Sequence, residues 1–210
     1  LEQQLVHNKV ICLSRTAPEL KHEHLSFHSL NILTDELPEL EEVDTLIYCP
    51  GSIVLKPINR LSLENFRDDF EINVIGAIKA IQHYLPQLKK GKTPSILLFS
   101  SVAAKLGMPF HTSIAASKAA IEGVVKSIGS ELAPIVRINA IAPSLTQTDL
   151  SSSLLRNEEA VQRMIDRHPL KKILQPEEVA DLASFLISDK ALSISGQTFE
   201  LDGGIVSFKL

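Results

Sequence analysis

Residues 95–120, SILLFSSVAAKLGMPFHTSIAASKAA, restrict the fold of this chain more than any other stretch. Residues 96–99 form an apolar run without alternation, which is typical of a parallel strand covered on both faces. Ser101 follows this strand, and the carboxyl ends of strands in open α/β sheets face the ligand crevice. Lys118 lies on the predicted helix and shares a helical face with position 114, which is isoleucine. The stretch therefore predicts a ligand site around Ser101, position 114 and Lys118.

This stretch resembles the short-chain dehydrogenase/reductase family, whose members carry a serine followed by Tyr-x-x-x-Lys. Ser101 and Lys118 match this pattern by position, whereas the tyrosine position falls on Ile114. The resemblance implies that Ser101 polarises a substrate carbonyl. It also implies that Lys118 holds the nicotinamide ribose and lowers the pKa of the acid/base. Because isoleucine neither donates nor accepts a proton, catalysis is expected to be weakened.

Two further segments carry the resemblance. Residues 71–76, EINVIG, match the pattern E-x-N-V-x-G, which implies that Asn73 supports a water-mediated proton relay beside the lysine. Without the resemblance, Asn73 would be interpreted as a helix surface residue. Residues 48–51, YCPG, stand where the family usually has Asn-Asn-Ala-Gly, and the retained Gly51 permits close approach of the backbone to a cofactor. The missing asparagine is a second departure from the family pattern.

Arg15 ends a predicted strand over residues 9–15, where a dinucleotide fold meets the adenosine ribose. An arginine there suits the 2′-phosphate of NADP(H), whereas an acidic residue would select NAD(H). We therefore expect NADP(H) to be favoured, with a solvated surface arginine as the alternative. The resemblance also implies cofactor contacts after two other predicted strands, from Asn31, Ile32, Pro143, Leu145 and Thr148.

The alternation of strands and helices predicts an α/β fold with a doubly wound, mainly parallel sheet of the Rossmann type and helices on both faces. At 210 residues with 44% hydrophobic content, a single domain over residues 1–210 is expected. By resemblance, a first strand and a glycine-rich turn precede residue 1, since a sheet without its central strand would leave two apolar edges unpaired. That segment is expected to span about 20 residues.

Individual signals locate the helices and strands. Ser62 is a predicted N-cap, another helix begins near Thr112, and Pro176 suits the first position of a third. Residues 151–168 are amphipathic and are interpreted either as a lid over substrate or as a plain surface helix. Further strands are predicted near residues 25–30, 43–49, 136–141 and 196–204.

Charge and composition exclude several partners. A net charge of −4 without long basic runs argues against nucleic acid or an anionic membrane. The sequence has no apolar run of transmembrane length, so a cytoplasmic protein with a small-molecule substrate is expected. The apolar faces of the helices around 63–85 and 112–132 predict a homo-oligomer, either a dimer or a tetramer.

Cysteine and histidine residues are given no functional role by the sequence. The family resemblance implies that the strands of Cys12 and Cys49 flank a third strand and so lie two strand spacings, about 9.6 Å, apart, which predicts buried thiols and not a disulfide. His22, His24 and His28 form a small cluster without acidic or cysteine partners at ligand-like spacing. No metal site is expected there.

Two functions remain open. The first is an oxidoreductase that transfers hydride between NADP(H) and a carbonyl or alcohol substrate. The second is a non-catalytic NAD(P)-binding protein, either a sensor or an assembly subunit. The retained Ser101, Asn73 and Lys118 favour the oxidoreductase, and Ile114 favours the binding protein.

Overall fold

The computed structural model describes residues 1–208, in which parallel strands form two sheets. The first sheet pairs β1 (Val10–Ser14) with β2 (Leu25–Ser29). The second sheet has the strand order β3 (Thr45–Tyr48), β4 (Ser95–Phe99), β5 (Arg137–Pro143) and β6 (Thr198–Leu201). The predicted parallel α/β architecture is confirmed.

β1 and β3 each have one free edge. The Val10 N–H donates to the His24 carbonyl, so alternate residues of β1 bond to β2, and the backbone groups of the residues between them point to the free edge. The Ser95 N–H donates to the Asp44 carbonyl beside β3, so alternate residues of β3 likewise point their backbone groups to its free edge. Within residues 1–208, no strand pairs with either free edge. The strand that the family resemblance places between β1 and β3 lies outside the described residues and stays a prediction.

Helices cover both faces of the four-stranded sheet, as the apolar runs of β4 and β5 require. They are α1 (Glu2–Leu5), α2 (Leu63–Phe70), α3 (Gly76–Leu88), α4 (Thr112–Leu132), α5 (Glu158–Arg167) and α6 (Pro176–Ile187). Ile96 and Leu98 pack in one core cluster with residues of α3 and α4, whereas Leu97 packs in a second cluster with Leu186 of α6. None of the helices in the described chain is both long and apolar enough to cross a bilayer.

Local capping explains where the helices begin. Ser62 forms a capping box with Asn65, since each side chain accepts a hydrogen bond from the backbone N–H of the other. Pro176 is the first residue of α6, as predicted. The segment 151–168 differs from the predicted single helix. A 3₁₀ turn spans Asp149–Leu154, and α5 begins only after Asn157, which caps it by accepting the Ala160 N–H.

A π-helical turn, Glu71–Ile75, joins α2 to α3 and carries Asn73. Such a turn opens the backbone ladder and frees polar groups. The Tyr48 hydroxyl donates to the Ile72 carbonyl at 2.6 Å and so satisfies one of them. Gly76 lies beside the same ring, and a Cβ atom there would stand 2.2 Å from the Tyr48 oxygen. Tyr48 therefore supports the turn that holds Asn73.

Burial on α2 does not follow residue type. Phe70 is 40% exposed, whereas the neighbouring Asp69 is fully buried and accepts hydrogen bonds from Ser52 and Ser113. The prediction that both thiols are buried is wrong.

Cys12 is only partly buried and Cys49 is exposed, although both are free thiols. Cys12 lies on β1 and Cys49 directly follows β3. Each of these strands has one edge that pairs with no strand within residues 1–208, so its thiol is less covered than that of a central strand would be.

Candidate active site

The predicted site residues lie where strands end and on the helices beside them. They are Arg15 after β1, Asn31 and Ile32 after β2, Gly51 after β3, Ser101 after β4, and Pro143, Leu145 and Thr148 at or beyond the end of β5. Asn73 lies in the π-turn and Lys118 on α4. Because the strands within each sheet are parallel, each sheet presents these residues at one edge.

The absence of a side chain at Gly51 leaves a space beside Asn73 and Lys118, called here the opening at Gly51. A Cβ atom at Gly51 would lie 3.1 Å from Asn73 Oδ1 and 3.8 Å from Lys118 Nζ. Asn73 Oδ1 is buried and has no hydrogen-bond partner among residues 1–208. Lys118 Nζ donates to the Phe99 carbonyl at 2.9 Å, and an ammonium retains two further donors. An acceptor and a donor thus face the same space, which fits a bound hydroxyl or water.

Burial lowers the pKa of Lys118 to about 8, against the opposing influence of Cys49 and Asp69. The charged form is disfavoured because the ammonium is taken out of water. The Lys118 side chain is therefore still largely protonated at neutral pH, and it loses its proton more easily than a surface lysine.

The stability difference between the wild type and Lys118→Met is expected to change with pH. Between about pH 8 and 10.5 the unfolded chain keeps the Lys118 proton and the folded chain loses it, so the free energy of unfolding rises with pH. The gain relative to Lys118→Met is on the order of 2 kcal/mol. Urea unfolding at pH 7.5 and pH 10 measures it. Lys126→Met, at an exposed position on α4, is the control and is expected to track the wild type. A constant difference between wild type and Lys118→Met would contradict the prediction.

Ser101 retains a hydroxyl that can serve a ligand. Its Oγ accepts the Ala103 N–H at 3.2 Å and so caps a short 3₁₀ turn, Val102–Ala104. A hydroxyl that accepts one bond still carries its own hydrogen. Ser100 differs, because it is buried and lies 2.9 Å from Glu122 Oε1. Of the two serines, Ser101 is the one suited to polarise a carbonyl.

Ile114 is 4% exposed and contributes only apolar surface. Its polar neighbours are held by other partners. His111 is half-buried, with Nδ1 2.7 Å from the Pro109 carbonyl, and Ser113 is buried and donates to Asp69 Oδ2 at 2.6 Å. The Ser113 hydrogen is therefore committed to Asp69, and His111 is held at the Pro109 carbonyl through one of its two ring nitrogens.

Asn31 and Ile32, two other predicted site residues, form hydrogen bonds away from the opening at Gly51. Asn31 Oδ1 accepts the Leu33 N–H, and the Ile32 carbonyl accepts from Lys79 Nζ. Arg15 is exposed. Within the part of the chain that the structure describes, no side-chain hydrogen bond joins Arg15, Asn31 or Thr148 to Gly51, Asn73 or Lys118. The opening at Gly51 is thus assembled from three of the predicted residues.

Sequence reasoning missed Asp69, which adjoins this opening. Its carboxylate is fully buried and accepts from Ser52 and Ser113, each at 2.6 Å. In the sequence, Asp69 is indistinguishable from the exposed Asp68 beside it. The one sequence feature that could have pointed to Asp69 as a site residue is its position four residues before Asn73, on the same helical face.

Comparison with known proteins assigns the family. A family model described as enoyl-(acyl carrier protein) reductase matches residues 31–206. A 3-oxoacyl-(acyl-carrier-protein) reductase of Synechocystis is 32% identical over 179 residues, which cover 84% of this chain and 70% of that protein. A 3-oxoacyl-(acyl-carrier-protein) reductase of Thermotoga maritima is 33% identical over 165 residues, or 78% of this chain and 66% of that protein.

Solved structures agree on the fold. A short chain dehydrogenase family protein from Francisella tularensis superposes with a TM-score of 0.88 at 24% identity, covering 99% of this chain and 93% of that one. The family model matches most of the chain, and the Synechocystis relative is more than 30% identical to it. The chain belongs to the short-chain dehydrogenase/reductase family of NAD(P)(H)-binding oxidoreductases.

Proposed function

We propose that the protein is a cytoplasmic, NADP(H)-dependent oxidoreductase that interconverts a carbonyl and an alcohol on a small molecule, at a rate weakened by Ile114. One observation carries this proposal: the buried, unpartnered Asn73 Oδ1 beside Lys118 Nζ at Gly51. A buried acceptor without a partner costs free energy, so its retention is best explained by a ligand or water that donates to it.

The residues divide into two roles. Lys118 and Gly51 would hold the nicotinamide half of the cofactor, with Pro143, Leu145 and Thr148 beyond β5, and Arg15, Asn31 and Ile32 would hold the adenosine half. When bound, NADP(H) supplies or accepts the hydride. Ser101 donates its hydroxyl hydrogen to the substrate oxygen, and the Lys118 ammonium stabilises negative charge that develops there. Asn73 Oδ1 accepts from a water that Lys118 also contacts, which supplies a route for the proton.

Consumption of NADPH in the presence of a dicarbonyl, followed by absorbance, tests this function in the full-length natural protein. Turnover is expected to be slow but measurable, and Ser101→Ala and Lys118→Ala are expected to abolish it. Ser130→Ala, at an exposed position on α4, is the matched control. Turnover that survives in Lys118→Ala would refute the assigned site.

A second candidate function is non-catalytic NAD(P) binding in a sensor or assembly subunit. Ile114 favours it, because the two polar side chains beside it, His111 and Ser113, are committed to other partners. In that case titration calorimetry would show NADPH binding, while the absorbance assay would show no turnover on any carbonyl.

Arg15 is expected to give the protein a preference for NADP(H) over NAD(H). It follows β1 and is exposed, so its guanidinium is available to a 2′-phosphate. Titration calorimetry of the full-length natural protein with both cofactors measures the preference. Arg15→Ala should reduce NADPH affinity about tenfold, a typical worth of one charge-assisted bond, and leave NADH affinity unchanged. Equal affinities in the wild type, or a ratio that Arg15→Ala does not alter, would contradict it.

We also propose a homodimer or tetramer built on α2 and α4. Leu63 is 72% exposed and Phe70 lies on the same side of α2, seven residues later. The exposed face of α4 carries small residues that permit close helix approach, namely Ala116, Ala119, Gly123, Ser127 and Ser130. Light scattering at micromolar concentration should give a multiple of the protomer mass, and Phe70→Glu should shift it toward the monomer. A monomeric wild type would contradict this proposal.

A further inference from the structure

Asp69 is an unusual residue for the interior of this fold. It is 0% exposed, and burying a carboxylate is costly unless hydrogen bonds compensate. Ser52 Oγ donates to one carboxylate oxygen and Ser113 Oγ to the other, each at 2.6 Å. These two serines come from different elements, since Ser52 follows β3 and Ser113 lies on α4. Asp69 thus joins three parts of the chain next to the opening at Gly51.

The same bonds determine how the Asn73 amide is oriented. The Ser52 hydroxyl hydrogen is committed to Asp69, so Ser52 Oγ is left as an acceptor and receives Asn73 Nδ2 at 3.3 Å. Asn73 Nδ2 also donates to the Asp69 backbone carbonyl at 2.8 Å. A flipped amide would place Asn73 Oδ1 against these two acceptors. The amide oxygen must therefore face Gly51 and Lys118.

We propose that Asp69 is a positioning residue that acts through Ser52 to aim Asn73 Oδ1 at the ligand bound beside Lys118. The carboxylate accepts the Ser52 hydrogen, Ser52 accepts the Asn73 amide, and Asn73 presents its oxygen to the ligand. Ser113 has a different role, because it anchors the second carboxylate oxygen to α4 and makes no hydrogen bond to Asn73 in the described chain. The presence of a ligand beside Lys118 rests on the proposed function. The orientation of the Asn73 amide rests only on the hydrogen bonds described above.

The two serines supply a matched pair of variants. Ser52→Ala and Ser113→Ala each remove one hydroxyl from Asp69, and both are expected to fold with similar losses of stability in urea unfolding. Only Ser52→Ala removes a hydrogen bond from Asn73, and the bond of Asn73 Nδ2 to the Asp69 backbone carbonyl remains in both variants. The NMR signals of the Asn73 side-chain amide, identified by their absence in Asn73→Ala, should therefore exchange with solvent faster in Ser52→Ala than in Ser113→Ala, which should match the wild type. Equal protection in the two variants would overturn the inference.

Asp69→Asn distinguishes the effect of the Asp69 charge from its effect on the orientation of the Asn73 amide. The amide oxygen of the variant can still accept from Ser52, so the Asn73 signals are expected to stay as in the wild type. Loss of protection in Asp69→Asn would mean that the carboxylate charge, and not the hydrogen bond from Ser52, holds the Asn73 amide, which would contradict the inference. Removing the carboxylate charge also removes one of the influences that raise the pKa of Lys118, so that pKa should fall further below its ordinary value.

NADPH affinity provides the second measurement. Ser52→Ala should weaken binding about fivefold, the typical net worth of one hydrogen bond, and Ser113→Ala should leave it unchanged. If the wild type binds no NADP(H), the proposed function fails, while the Asn73 amide signals still decide whether Asp69 sets the orientation. If binding falls equally in both serine variants, Asp69 acts only on stability and the positioning role is refuted.

Discussion

Ile114→Tyr is expected to raise the NADPH-dependent reduction of a generic dicarbonyl by about 100-fold, the lower end of what general acid/base help contributes. The new phenol would share a helical face with Lys118, four residues later on α4. The ammonium nearby would lower the phenol pKa and so ready it for proton transfer. Ser101 is already present at the carboxyl end of β4 to polarise the carbonyl.

The comparison variant is Ile114→Phe, which adds the same ring to a buried position without the hydroxyl. Any loss through overpacking is common to both variants, so their ratio reports the phenol alone. Ile114→Tyr combined with Lys118→Ala should lose most of the gain. If Ile114→Tyr is no faster than Ile114→Phe although both bind NADPH, the opening is not a reductase site and the binding-protein function is preferred.

Gly76→Ala is expected to destabilise the protein by about 3 kcal/mol, the upper part of the range for overpacking a core. The added Cβ would stand 2.2 Å from the Tyr48 oxygen and 3.2 Å from Cζ. The Tyr48 side chain has little room to move away from the added Cβ, because its ring is buried and its hydroxyl donates to the Ile72 carbonyl. The π-turn that carries Asn73 would have to move instead.

Urea unfolding of four proteins tests this: wild type, Gly76→Ala, Tyr48→Val and the double variant. The cost of Gly76→Ala should be smaller once the ring is absent, which the double-mutant cycle reports as a coupling energy. Gly107→Ala is the matched control, since a Cβ there meets nothing within 4 Å, and it should change the free energy of unfolding by less than about 0.5 kcal/mol. Equal responses at the two glycines would show that Tyr48 does not restrict position 76.

The sequence predicted the elements whose signals are local. The continuous apolar run at 96–99, the N-cap at Ser62 and the proline at the start of α6 each depend on neighbours in the chain, and each is present in the structure. The positions of Ser101 and Lys118 on a strand end and a helix follow from the same signals. These features could be located without knowing any tertiary contact.

Features that depend on distant partners could not be predicted. The π-turn leaves no mark in the pattern of apolar residues around Asn73, and the contact of Tyr48 with Ile72 spans 24 positions. The buried Asp69 carboxylate is compensated by Ser52, 17 positions away, and by Ser113, 44 positions away. Polar residues of a helix are ordinarily solvated, so the sequence gives no reason to place Asp69 in the interior.

The edge position of β2 ties ligand affinity to local unfolding. Within the described chain, β2 pairs only with β1, whereas β4 and β5 are each paired on both sides. β2 should therefore open at a lower free energy than β4 and β5, and its amides should exchange before theirs. A dinucleotide that touches both Asn31, which follows β2, and Lys118 would bind only the closed form. Its measured affinity would then include the cost of ordering β2.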